Sequence, residues 1–168
     1  MKSYLDNAVV SAIGKGDVPT AEVTILDDLL VPFESGRLDL VTSSVTAREI
    51  EQYKGTKRPD IERVYARLKK VPFIEDHEVV GFHNYWDRFG GESYPFVEDD
   101  ATSSALRRIG IKRTDAHHLM LAIRSGCARF VTYDRGILSK SSQIKGAFGI
   151  KAVRPAELLA EFRALAHS

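Results

Sequence analysis

Four carboxylates stand where the sequence passes from one kind of element to the next. Asp6 directly follows the short run 2–5, and Asp134 lies two residues past Thr132, at the end of an apolar run at 128–132. Glu49 sits in the first turns of a helical stretch that follows an apolar run at 38–41, and Asp115 opens the helical stretch that leads into 128–132. In open parallel α/β sheets, functional groups collect just beyond the carboxyl ends of the strands. All four acids can therefore face one edge of a sheet. Left unpaired there they would repel one another, and a divalent cation is the natural neutraliser. Each acid also has a purely structural alternative. Asp6-Asn7 suits a turn. Thr46-Ala47-Arg48-Glu49 has the pattern of a capping box. Asp115 complements a helix N-terminus, and Tyr133-Asp134-Arg135-Gly136 suits a surface turn. Their joint placement favours chemistry.

The elements that must position these acids alternate between strand and helix. The pattern predicts a strand ending at Asp6 and then a short helical turn, broken by Gly14-Lys15-Gly16-Asp17. From Thr20, the apolar residues Val23, Leu26, Leu29 and Leu30 recur at helical spacing until Gly36. A short strand at 38–41 and a helix over 43–53 follow. Pro59 opens another helix, with Ile61, Val64, Leu68 and Val71 as its apolar stripe, Arg63, Arg67 and Lys70 opposite, and Pro72 at its end. Residues 73–100 hold Phe82, Tyr85, Trp86, Phe89, Tyr94 and Phe96 without a clear period. They are expected to form a long loop or an inserted hairpin, with the aromatics packed into core or a dimer face. Residues 101–109 read as helix. The clearest helix is 115–125, lined by Ala116, Leu119, Met120 and Ile123 and capped by Gly126. Strands are expected at 128–132 and 150–153, and Pro155 opens a last helix with Leu158, Phe162 and Leu165 facing inward. The alternation indicates an α/β domain with a mostly parallel sheet, and no repeat or linker divides 1–168 into two domains.

Composition removes several classes of protein. With 43% apolar and 28% charged residues in 168, the chain has an ordinary globular content and is not disordered. A single cysteine, Cys127, excludes a disulfide scaffold and reads as a small buried residue. No apolar run approaches the ~18 residues of a membrane span, and the N-terminus lacks a signal core, so the chain is expected to be cytoplasmic. Net charge is +1, from 24 Lys and Arg against 23 Asp and Glu, so bulk charge neither announces nor excludes nucleic-acid binding. No Cys and His cluster has zinc spacing.

Four segments, in order, resemble the PIN-domain family of metal-dependent ribonucleases, which includes toxins of bacterial toxin–antitoxin pairs. They are Tyr4-Leu5-Asp6-Asn7-Ala8-Val9-Val10-Ser11, the run 40–50 ending in Arg48-Glu49-Ile50, Asp115-Ala116-His117-His118-Leu119-Met120-Leu121-Ala122, and Phe130-Val131-Thr132-Tyr133-Asp134. Gly149-Ile150 and Arg154-Pro155-Ala156-Glu157-Leu158-Leu159 are similar to the family's closing strand and helix. The resemblance covers almost the whole chain. It departs from the family at Asn7 and Ala8, where Thr or Ser and then Asn or Ser are common, and in the length of 73–100.

The resemblance implies a PIN-like three-layer domain acting as an endoribonuclease. Asp6, Glu49, Asp115 and Asp134 would form its catalytic centre. Asp6, Asp115 and Asp134 would ligate Mg²⁺ or Mn²⁺, ions that carboxylate oxygens select. Glu49 would orient or deprotonate the attacking water, with Asn7 and Thr132 in support. Lys57, Arg58, Arg63 and Arg113 are candidate RNA contacts, against the alternative of solvated helix faces. The resemblance also brings an antitoxin protein and a second copy of the chain into view as partners. A histidine-nuclease role for His117 or His118 is weighed below packing or hydrogen bonding. Two other readings are a catalytically silent RNA- or protein-binding module on the same fold and a metal-dependent phosphatase of another α/β fold. The latter lacks a distinctive nucleophile motif.

Overall fold

Adjacent residues of the first strand leave in opposite directions. Tyr4 and Leu5 are both fully buried, but Tyr4 belongs to one apolar cluster and Leu5 to another. Leu40 and Val41, Phe130 and Val131, and Ala152 and Val153 divide in the same way. This is the two-residue period of a strand covered on both faces, and it makes the fold three layers deep. The computed structural model describes residues 1–74 and 101–166.

Within those residues the strands are β1 Lys2–Leu5, β2 Asp39–Ser43, β3 Phe73–Ile74, β4 Arg129–Val131 and β5 Lys151–Val153. They form one sheet in the order β3-β2-β1-β4-β5, and every pairing is parallel. Register lines up the two faces. Tyr4 pairs with Val41 and Phe130, and Phe130 with Ala152, all on one face, whereas Leu5, Val131 and Val153 form a row on the other.

Helices α1 Asn7–Lys15, α2 Ile25–Glu34, α3 Ser44–Gln52 and α4 Arg58–Tyr65 follow β1 and β2. Helices α5 Ala101–Arg108, α6 Arg113–Arg124, α7 Arg135–Leu138, α8 Ser141–Phe148 and α9 Pro155–Ala166 make up the rest. The Leu5 face is covered by Val9 and Val10 of α1, Leu26 and Leu29 of α2, Ile61 of α4 and Leu158 of α9. The Tyr4 face is covered by Leu106 of α5, Leu119 and Leu121 of α6, Ile137 of α7 and Ile144 of α8. From β1 the sheet grows outward through β2 to β3, then restarts on the other side of β1 with β4 and β5. The reversal lies between β1 and β4. Such a switch point opens a crevice at the strand ends, where ligands of open α/β sheets bind.

Several expectations change. The break expected in Gly14-Lys15-Gly16-Asp17 falls at Gly16, and Gly14 itself lies within α1. A Cβ there would stand 2.6 Å from the Cα of Ile61, so this glycine lets α4 lie against α1, and the helix stops at the left-handed Gly16. The helix expected from Thr20 divides into a 3-10 turn, Thr20–Glu22, and α2. Residues 73–74 pair with β2 as an edge strand rather than opening a loop. Residues 75–100, with the aromatic cluster, lie outside the described residues. Helices α7 and α8 fill a stretch for which no element was expected. Leu165 points outward at 65% exposure, while Leu158 is fully buried. Among the described residues no helix is long and apolar enough to cross a membrane.

Candidate active site

Parallel pairing of β1 with β4 ends on Leu5 opposite Val131, so the next two residues, Asp6 and Thr132, emerge side by side. The Asp6 backbone N–H still reaches the Val131 carbonyl at 3.0 Å. Asp6 is the N-cap residue of α1, yet its side chain makes no cap hydrogen bond. Instead Oδ2 accepts the Thr132 hydroxyl at 2.7 Å. The turn reading of Asp6 is thereby corrected. The carboxylate is 6% exposed, and burial raises its pKa, with His118 and Thr132 opposing the shift.

Thr132 serves two acids. Its Oγ1 donates to Asp6 and accepts the backbone N–H of Asp134 at 3.0 Å. Asp134 is also the N-cap of α7, where Oδ1 accepts from the Ile137 N–H at 3.0 Å. Its surroundings are therefore a helix start and not the surface turn suggested by its neighbours.

Asp115 lies in the first turn of α6 and its pKa is pushed up to about 6. Burial is the largest cause, followed by the negative charges of Asp134 and Asp6. These three acids, distant in sequence, act on one another at the β1 and β4 ends.

Glu49 arrives from α3 on the β2 side. That helix starts after Ser43 without a side-chain cap, so the capping-box alternative for Glu49 is overturned. Glu49 Oε2 accepts from Asn7 Nδ2 at 2.7 Å and stands 3.2 Å from His118 Nε2. Burial raises the Glu49 pKa, but His118 and Asn7 outweigh it and hold the carboxyl below its ordinary value. Asn7 is thus a partner of Glu49, and its own Oδ1 accepts from Ser11 at 3.2 Å.

His118 is a central residue of this edge, with 3% of its side chain exposed. Nδ1 lies 2.7 Å from Tyr4 Oη and 3.8 Å from Asp6 Oδ1. Tyr4 Oη in turn lies 2.6 Å from Ser43 Oγ. Burial disfavours the imidazolium, but Glu49, Asp6 and Asp115 together raise its pKa. Desolvation drives the Tyr4 hydroxyl far above its usual range, so it stays a neutral donor and acceptor. No role was expected for Tyr4 or Ser43. The signal in the sequence is a phenol and a hydroxyl inside strands whose apolar residues are core.

The cationic candidates divide. Arg58 and Arg63 pair with Glu62 and Asp60 of their own helix at 2.6 and 3.1 Å. Arg67 pairs with Asp27, and Lys70 with Glu34. Lys57 and Arg113 are exposed at the starts of α4 and α6. Cys127 is buried, its thiol pushed up to about 11 by desolvation, as suits an inert core residue.

The donor chemistry suits a hard cation, because Asp115, whose pKa is raised by burial and by the charges of Asp134 and Asp6, would gain from a shared positive charge. Among the described residues, however, no three His, Cys, Asp or Glu side chains are grouped closely enough to hold one ion. The fit is one of charge and ligand type, not of a closed coordination set.

No family model matches the chain, and no curated protein matches it. Solved structures do resemble it. One is a member of the VapBC family of toxin–antitoxin systems, VapBC-5 from Mycobacterium tuberculosis, at 12% identity over 91% of this chain and 98% of the other, with a TM-score of 0.47. Another is VapBC2 from Rickettsia felis, bound to a DNA fragment from its promoter. It matches at 14% identity over 92% of this chain and 98% of the other, with a TM-score of 0.52. The second likeness and the parallel five-stranded sheet with helices on both faces give this chain the PIN-type α/β fold.

Proposed function

We propose that the protein is a metal-dependent endoribonuclease whose centre is formed by Asp6, Asp115, Asp134 and Glu49. The observation that carries this reading is the conflict among the acids, in which burial and then Asp134 and Asp6 push Asp115 up to about 6. Strongly perturbed carboxyls mark functional sites more often than structural ones, and these lie at the strand ends beside the switch point of the sheet.

Asp6, Asp115 and Asp134 would hold Mg²⁺ or Mn²⁺. A bound ion supplies Lewis-acid charge for a phosphate and lowers the pKa of a bound water. Thr132 keeps Asp6 and Asp134 in register. Glu49 is ionised at neutral pH because His118 and Asn7 stabilise its charge, which suits it to orient a water or accept its proton. Lys57 is a better candidate for an RNA phosphate than Arg58 and Arg63, which are already engaged with acids, and Arg113 is a candidate by its exposed place at the start of α6. A toxin role with an antitoxin partner fits both the motif resemblance and the VapBC2 likeness. A homodimer belongs to the same proposal.

The test is incubation of the purified protein with a mixed RNA pool and Mg²⁺ or Mn²⁺. Cleavage that stops on addition of EDTA and is lost in Asp115→Asn supports the reading. Cleavage by Asp115→Asn at the wild-type rate would remove Asp115 from the centre. One observation favours a silent binding module, namely that no three acids are grouped as ligands among the described residues. RNA that is bound but left intact by the wild type with both ions would decide for that module.

A further inference from the structure

Helix α6 carries Asp115 and His118 three residues apart, so both lie on the face turned to the strand ends. An imidazole buried this deeply is costly unless its nitrogens find partners. Nδ1 has Tyr4 Oη at 2.7 Å. Nε2 is buried and has no aligned hydrogen bond, and the Glu49 Oε2 atom stands in front of it at 3.2 Å.

The anchor behind the ring is rigid. Tyr4 is fully buried in the central strand, stacked on Phe130 with centroids 5.3 Å apart and planes 7° from parallel. Its hydroxyl is held by Ser43 at the end of β2. Ring orientation at His118 is therefore set by two strands, and Nε2 has one direction to face. On the other side, Glu49 has three rotatable bonds and 24% of its side chain exposed. The Asn7 amide, donating to Oε2, and the His118 ring nitrogen, 3.2 Å from the same oxygen, limit that freedom and leave Oε1 for a water or substrate.

We propose that His118 is the positioning residue for Glu49, transmitting the fixed geometry of Tyr4 and Ser43 to that carboxylate. Glu49's chemical role rests on the ribonuclease reading above, whereas the contact itself does not. This differs from a histidine nuclease, because His118 is almost wholly buried and acts through another side chain.

Two substitutions separate the nitrogens. In His118→Asn the amide keeps the reach of Nδ1 toward Tyr4 and loses Nε2. In His118→Gln the amide extends to where Nε2 stood. His118→Asn is expected to lower kcat for RNA cleavage on the order of a hundredfold with KM unchanged. His118→Gln should restore most of that loss, and His118→Asn should have no further effect in a Glu49→Gln background. A readout independent of activity is the side-chain amide resonance of Asn7, which donates to the same Glu49 oxygen. It should shift in His118→Asn and stay near its place in His118→Gln. Should His118→Asn not fold, Tyr4→Phe releases the far anchor and should move the same resonance. Equal losses in the Asn and Gln variants, in proportion to their melting temperatures, would reduce His118 to packing. An Asn7 resonance that ignores these changes would also overturn the proposal. If the wild type cleaves no RNA, the ribonuclease reading falls alone, and the Asn7 resonance still decides the positioning.

Discussion

The Thr132 hydroxyl and Asp6 Oδ2 stand 2.7 Å apart although 126 residues separate them in the chain. Thr132 also accepts the Asp134 N–H, so one hydroxyl links acids from two strand ends. Thr132→Val keeps the shape and removes both bonds. It is expected to destabilise the protein by about 1–3 kcal/mol, since a buried carboxylate and a backbone N–H each lose a partner. Urea unfolding checks this. A loss under about 0.5 kcal/mol would mean that water replaces the hydroxyl.

Asp115 should make the metal-free protein less stable at neutral pH. Its folded pKa, about 6, lies above the ordinary 3.8. Between those values the folded state holds a proton that the unfolded state has lost, so stability falls as pH rises through this window. Asp115→Asn should therefore be the more stable protein at pH 7 without metal, by about 1 kcal/mol after allowance for solvent screening. The difference should vanish near pH 4. Thermal melts across pH decide it, and a wild type at least as stable as the variant at pH 7 would contradict the repulsion.

Added Mg²⁺ or Mn²⁺ should reverse that ranking. Binding to the folded state alone raises stability by mass action, about 2.7 kcal/mol at a hundredfold excess over Kd. The wild type should gain in melting temperature and Asp115→Asn should not. Equal shifts in both would place the ion elsewhere.

Glu161 provides a pH dependence of the opposite sign, away from the centre. Burial is the largest single influence and raises its pKa, but Lys151 and Arg129, each 2.7 Å away, together outweigh it and bring the carboxyl below its ordinary value. Its contribution is present above the ordinary carboxylate range and is lost as pH falls through the lowered folded value. Glu161→Gln should cost about 1 kcal/mol or less at pH 7 and nothing once both forms are neutral in acid. Paired melts at pH 7 and pH 3 give the comparison.

Gly14→Ala should destabilise, although alanine is the better helix former. Helix propensity favours the change by ~1 kcal/mol. The new Cβ would meet Ile61 Cα at 2.6 Å, and forcing two helices apart costs about 1–3 kcal/mol. A higher melting temperature for the variant would show that α4 moves away freely.

The strands and acids were legible because their signals are local. Alternating apolar pairs such as Leu40 and Val41 announce a strand covered on both faces, and an acid just past β1 and another just past β4 announce an edge. Partners were not legible. Tyr4 and His118 meet across 114 residues, and nothing near either names the other. Glu49 showed a capping pattern, which is local, while its true partners come from α1 and α6. The packing role of Gly14 was not legible for a related reason, since a glycine that ends a helix and one that admits a neighbour look alike until Ile61 is known. Phe73 and Ile74 form too short a strand to show a period, and only the free edge of β2 gives them a role.

The restart of the sheet on the far side of β1 has a consequence for synthesis. A ribosome delivers β1, β2 and their helices first, and that half can begin to pack as it emerges. It carries Asp6 and Glu49 but neither Thr132 nor Asp134. The pairing of β1 with β4 does not exist until the chain has been made past Val131 and the new strand has found the open side of β1. A chain that stops before β4 is therefore without the acidic centre, and whatever activity that centre has requires synthesis past Asp134.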